Sequence, residues 1–297
     1  MADSLGVVDE QPASEWDKMG TILSLDKNEL FVDGHVHIYP FMSIQSVLDA
    51  ASRNGSRLRD SSSTNYEVGV LLVADPVGVC GFDRLVRHGN DCSSEETGHW
   101  LCEDCDERSV TFRQSSGTKI IAIRGQQLIT HEGLEVLGIG YNAELPSGLI
   151  LAKMVERISA AGGLSIIAWG VGKWIGRRGR LVTDMIISET GRPDIMLADN
   201  GGRPWCWSRV PQFETAAERG MRVVAGTDPL PLKGEENRVG SYGFRMRVDQ
   251  PAGQSIVDTF RNTLGNQDSI IQTIGEHMTI GGFVSNQLRL RLRRFSQ

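Results

Sequence analysis

The strongest constraint on the fold is a rhythm of short apolar runs, each closed by a polar residue. "LFVDGHVH" from residue 30, "YEVGVLLVADP" (66–76), "TKIIAIRG" (118–125), "LSIIAWG" (164–170), "RPDIMLADNGG" (192–202) and "MRVVAGTDP" (221–229) read as buried strands. Between them, residues 43–55, 147–163 and 212–220 carry helical patterns, as do 253–266 near the end. Gly55 is expected to close the first of these and Ser147 to cap the second. Strands alternating with helices imply βαβ units and a parallel sheet, and at least six such strands favour a barrel over a doubly wound open sheet. No glycine-rich nucleotide-binding pattern supports the open-sheet alternative. Two departures interrupt the rhythm. Residues 118–125 and 134–142 resemble a hairpin, and 89–117 read as an irregular polar excursion. Residues 1–20 look like a loose arm, with one barrel domain over 21–297.

In a parallel barrel the C-terminal strand ends share one face, and that face holds the active site. Here those ends carry His35 and His37, then Asp75, the run Arg124-Gly125-Gln126-Gln127, Asp199-Asn200, and Thr227-Asp228. Residues i and i+2 of a strand point the same way, so the two imidazoles project side by side. Two histidines and a late aspartate form a plausible three-ligand set for a divalent ion such as zinc.

Composition narrows the function classes. A net charge of -6 argues against a nucleic-acid surface. No apolar run of membrane-spanning length and no secretory leader is visible. Five cysteines, an odd number, argue against a disulfide framework and for a reduced, cytoplasmic setting.

Four motifs in order resemble the polymerase and histidinol phosphatase (PHP) superfamily: "DGHVH", "IRGQQLIT…GLEVLGIG", "AAGGLSIIAWGVGKW" and "ERGMRVVAGTDPLP". The amidohydrolase barrels are a second match, through an early His-x-His and a late Asp. The PHP resemblance implies a distorted (β/α)7 barrel that hydrolyses phosphoesters with up to three metal ions. The departures limit what carries over. The family's Thr-Asp-His is Ala74-Asp75-Pro76 here, its Gly-x-Glu is Gly125-Gln126-Gln127, and its Ala-His-Pro is Ala168-Trp169-Gly170. Its Ser-Asp-Ala-His is Thr227-Asp228-Pro229-Leu230. Only His35, His37 and Asp228 match residue for residue, with Asp75 a partial survivor. Glutamine offers a neutral carbonyl where glutamate would bridge two cations, and Trp169 should fill the space of a metal-binding His. The expectation is one divalent ion, zinc or manganese, on His35, His37 and Asp228, or no native metal at all.

Other groups are weighed beside these. Lys173, Arg177, Arg178 and Arg180 lie in a glycine-rich stretch after a strand and could hold an anion, or form a solvated basic loop. Arg203, Trp205 and Trp207 could wall a pocket or cover the barrel rim. Cys92, His99, Cys102 and Cys105 could bind a structural zinc or be incidental thiols on an acidic segment. Residues 226–244, too rich in Gly, Pro and charge for a core element, offer Glu235 and Glu236 to the site; His131 and Glu132 could also face it. The tail "QLRLRLRRF" alternates Leu and Arg and reads as an edge strand. The function this supports is a metal-dependent hydrolase-like protein acting on a small anionic substrate. Asp228 and Asp75 would be its catalytic carboxylates, and Lys173, Arg177, Arg178 and Arg203 its anion contacts. The alternative is a non-catalytic ligand-binding or scaffold protein on the same barrel. Neither reading involves nucleic acid or membrane, and the oligomeric state is left open.

Overall fold

The computed structural model describes residues 28–62, 68–91, 100–248 and 253–295. The apolar runs all form strands. β1 (Asn28–Val36), β2 (Val68–Pro76) and β5 (Lys119–Ile129) lie parallel in one half of the sheet. β7 (Leu164–Ala168), β8 (Ile195–Asn200) and β9 (Val223–Gly226) are parallel in the other half. β6 (Glu135–Ile139) joins the halves, antiparallel to both β5 and β7. With β10 (Tyr242–Val248) and β11 (Ile271–Gly275) added antiparallel beyond β1, the main path has nine strands and curls into a nearly closed barrel.

The sheet is therefore mixed, and the hairpin expected between residues 118–125 and 134–142 is one of the interruptions of its parallel order. The five residues from Thr130 to Leu134 are too few for a parallel crossover, so β5 and β6 must pair as a hairpin. The chain then climbs back: Gly148 N–H donates to Ile129 O at 2.7 Å and His131 N–H to Leu149 O at 2.8 Å. Helix α3 (Leu151–Ala160) descends from there, which restores the direction of β5 in β7.

Several local expectations are corrected. Residues 100–114 are not irregular: β3 (Trp100–Cys105) and β4 (Ser109–Gln114) form a hairpin on β5, with Trp100, Val110 and Phe112 buried. Helix α1 (Ile44–Ser62) runs through Gly55, where an added Cβ would meet only Phe31 at 3.9 Å. Ser147 does not cap α3; its hydroxyl accepts Ile129 N–H, and the Glu132 carboxylate takes Leu151 N–H at 3.1 Å instead. The last residues of the 226–244 stretch open β10, whose Tyr242, Phe244, Met246 and Val248 are all buried. The tail is a helix, α7 (Ile280–Phe295), because leucine, arginine and glutamine are strong helix formers and no strand edge claims them. Residues 1–20 lie outside the described residues. Of the described helices, none is long and apolar enough to cross a membrane.

The barrel interior is apolar, with Leu30, Val70, Leu72, Ile121, Ile166, Met196 and Phe244 among its residues. It is closed at one end by Val257 and Phe260 of helix α6 (Ile256–Gly265). Full burial of each such side chain contributes about 1.5–3 kcal/mol, so filling this end confines polar chemistry to the other. Closure between β9 and β1 depends on two glycines. A Cβ on Gly226 would lie 2.3 Å from His35 N, and one on Gly34 would lie 2.6 Å from Ala225 O. That backbone contact carries Asp228 N–H to His35 O at 2.8 Å and brings the first and last strand ends together.

Candidate metal centre

His35 and His37 leave β1 at an irregularity in its pairing with β2, between Asp33 and Val36. Irregular pairing of this kind re-aims side chains at a sheet edge. Asp33 fixes the region without touching either imidazole ring. Buried, it accepts Thr227 N–H at 2.8 Å, Thr227 Oγ1–H at 2.5 Å and Gly240 N–H at 2.9 Å. Burial pushes its carboxyl up to about 6 even against those hydrogen bonds.

Both rings turn their Nε2 atoms inward, 3.0 Å apart. His37 Nδ1 lies 2.6 Å from Ala74 O, a carbonyl that can only accept, so the proton sits on Nδ1 of the neutral ring and the Nε2 lone pair faces the centre. Asp228 Oδ1 stands 3.2 Å from His37 Nε2 and 3.7 Å from His35 Nε2. Its other oxygen accepts from the Asn200 amide, and Asn200 is itself oriented by Gly202 N–H donating to its Oδ1 at 2.6 Å. Asp228 is the only non-glycine residue at positive φ among those described, at 47°, in a region that costs about 1–2 kcal/mol for most residues but less for Asp. Gln127 Oε1 completes the ring of groups, 3.3 Å from His35 Nε2.

These groups fit a metal ion. Among the described residues, His35, His37 and Asp228 form the one group of three such ligands, all within 4.8 Å of one another. Their separations of 3.0, 3.2 and 3.7 Å bracket the edge of about 3.3–3.4 Å that a tetrahedron with bonds of about 2.0–2.1 Å requires. The charges at the centre act differently on each group. Burial takes His35 down to about 4, so it is a neutral donor at neutral pH. Burial also lowers His37, but the hydrogen bond and charge of Asp228 more than offset it. Asp228 is held below the usual carboxylate range: burial opposes ionisation, and the two imidazoles and Lys173 overcome it.

The other expected site residues fall as follows. Asp75 ends β2, and its Oδ2 accepts Phe82 N–H at 2.9 Å, tying it to the start of helix α2 (Gly81–Asp91); burial pushes it up to about 6. Lys173 pairs with Glu135. Arg177 and Arg178 open helix α4 (Arg177–Ser188) rather than lying in a loop, and Arg178 donates to Gly133 O and Gly172 O. Arg203 is buried and makes a two-pronged pair with Asp199, at 2.8 and 2.7 Å. Tyr242 O–H and His277 join the same carboxylate at 2.8 and 2.9 Å. Trp169 is buried at the end of β7, edge-on to Trp207 at 5.4 Å. Glu235 turns to Leu230 N–H, Arg238 and Asn286, away from the histidine pair. Cys92 and His99, and with them the four-ligand thiol set, lie outside the described residues.

No family model matches the sequence. No curated protein matches it either. Solved structures do share its shape. The crystal structure of PsfC from Pseudomonas syringae superposes with a TM-score of 0.51 at 10% identity, over 91% of this chain and all (100%) of that one. The lesion-specific endonuclease PfuEndoQ from Pyrococcus furiosus gives 0.47 at 11% identity, over 80% of this chain and 56% of that one. The likeness to PsfC is one of fold. Fold and site together define a mixed α/β protein whose barrel-shaped sheet holds two buried histidines and a partly exposed aspartate at one end.

Proposed function

We propose that this chain is a hydrolase-like protein of the PHP type that holds one divalent ion, zinc or manganese, on His35, His37 and Asp228 and cleaves a small phosphoester in the cytoplasm. The observation that supports this most is the triangle of two buried, inward Nε2 atoms and one half-buried carboxylate oxygen. A bound divalent ion would supply Lewis-acid polarisation of the ester and a water of lowered pKa. The remaining work falls to the chain. Ala74 O and Asn200 orient His37 and Asp228. Lys173, whose positive charge is felt at both His35 and Asp228, would meet the anion, and Arg177 and Arg178 are the further anion contacts of this reading. Asp75, carrying a proton up to about pH 6, serves the leaving oxygen. Arg203 is committed to Asp199 and is left out of the anion contacts. Neutral Gln127 supplies no bridge, so a second ion has nothing to hold it.

The test is metal analysis of protein purified without chelators, joined to a phosphoester panel with Mn²⁺ or Zn²⁺ supplied. At most one ion per chain, lost in His35→Ala with the circular dichroism unchanged, is the expected result. Two ions retained in that variant, or no turnover across the panel, would overturn it. One observation favours a second reading, a non-catalytic binding protein. The 3.0 Å contact between the imidazoles is itself a satisfactory hydrogen bond, His35 Nε2–H to His37 Nε2. Thermal stabilisation by ligands without any turnover distinguishes this case.

A further inference from the structure

Beside the triad lies a cleft of about 610 Å³, where β2 and β5 end. One side is residues 76–80 and the other is 141–147. It adjoins the triad through both strands. Gln127, one of its walls, reaches His35, and Asp75, another, follows the residue whose carbonyl holds His37.

The lining chemistry is specific. The one cation in the lining, Arg124, is paired: it donates to Glu107 O and to Asp83 at 2.8 Å, and lies 4.3 Å over the Phe82 ring. Asp75 and the exposed Glu144 add carboxylates to the lining, and Asp75 accepts Phe82 N–H at 2.9 Å. An anion entering here meets the carboxylates of Asp75 and Glu144, and the one cation of the lining is already paired with Asp83. The Gln126 carbonyl is filled twice, by Tyr141 O–H at 2.9 Å and Leu145 N–H at 3.2 Å, so its amide N–H₂ is what it can offer a ligand. Gln127 turns its carbonyl to His35 and offers its amide likewise. Val77, Val79 and Pro146 supply aliphatic walls. The only aromatic ring in the lining, Tyr141, is buried and hydrogen-bonded, so no plate is presented for stacking a base.

We propose that this cleft binds the alcohol half of the substrate, and that this half is a neutral polyhydroxylated ring, a sugar or cyclitol. Amide donors and carboxylate acceptors read hydroxyls, and the aliphatic walls meet ring C–H faces. The inference rests on the phosphoesterase reading for the other half: water attacks phosphorus, the P–O bond to the ring oxygen breaks, and that oxygen leaves protonated as the free polyol beside inorganic phosphate. Anionic recognition then belongs to the triad and Lys173, and neutral recognition to the cleft.

The experiment is saturation-transfer NMR and calorimetry on the full, metal-free chain, with myo-inositol and glucose as neutral probes, glucarate as an anionic one and adenosine as a flat one. The neutral probes should bind best. Ala143→Trp, which adds bulk to the cleft from an exposed position without removing a hydrogen bond, should weaken them by about tenfold or more. Glu144→Lys should shift preference towards glucarate. Neutral binding that survives while the metal test fails would sink the phosphoesterase reading and keep the cleft assignment. No neutral binding, tighter glucarate or adenosine, or indifference to Ala143→Trp would overturn the assignment itself.

Discussion

Gln127 is the position where one atom decides the character of the centre. Gln127→Glu replaces an amide by a carboxylate at the same length, beside an imidazole nitrogen now 3.3 Å away. At that distance and an effective dielectric of about 20, a full charge pair is worth about 5 kcal/mol. Desolvation of the new carboxylate and repulsion from Asp228 reduce this. An opposite charge at such range ordinarily moves a pKa by about 1–3 pH units. His35, taken down to about 4 by burial, should therefore titrate higher in the variant by about that amount. Nitrogen-15 NMR of the imidazoles across pH 3 to 8 reads this without any metal. The same variant should bind zinc about tenfold tighter or better in competition with a chromogenic chelator, since a fourth, anionic ligand joins the set. If His35 stays near its present value and zinc affinity does not change, Gln127 does not face the imidazole and the centre described above is wrong.

Two further outcomes test the frame. Asp199→Asn leaves Arg203 buried without its counter-charge and should cost about 3–5 kcal/mol in urea unfolding at pH 7. Asp199 is depressed in the fold, where Arg203 and His277 outweigh burial, so its contribution is present above the unfolded value of about 4 and is lost on acidification. The gap to the parent should thus narrow from pH 5 to pH 3; a small gap at pH 7, or one that widens in acid, contradicts this. Gly226→Ala drives a Cβ into the His35 backbone and should both destabilise the fold by about 1–3 kcal/mol or more and weaken metal binding. Parent-like stability with parent-like zinc affinity would show that β9 and β1 are not in close contact.

The sequence made the strands legible and left their directions hidden. Val70, Leu72, Ile121 and Ile166 announce burial through apolar runs, and the hairpin between β5 and β6 was readable from a link too short to cross over. The return climb through residues 140–150 was not, because it is fixed by two backbone hydrogen bonds that no side-chain pattern encodes. β10 did carry a signal: Tyr242, Phe244, Met246 and Val248 alternate with Gly243, Arg245 and Arg247. The Gly- and Pro-rich stretch before it obscured that period of two. In α7 the alternation of Leu and Arg misled, since it suits an edge strand as well as a helix with leucines left exposed, as Leu288 and Leu292 are.

At the centre, the same limit has a chemical consequence. His35, His37 and Asp228 could be read from residue type alone, because few other groups ligate a divalent ion. Gln127 and Asn200 could not, because an amide is informative only when its partner is known. One amide turns its carbonyl to His35 and the other its N–H₂ to Asp228. The histidine pair is thus held between an acceptor on β5 and an anchored carboxylate after β9, across a closure that two glycines permit. The two groups set beside the three candidate ligands are thus uncharged amides. On the proposed reading, amides rather than carboxylates beside the three ligands leave the centre suited to one ion, and the carboxylates of the neighbouring cleft read hydroxyls rather than neutralise metal.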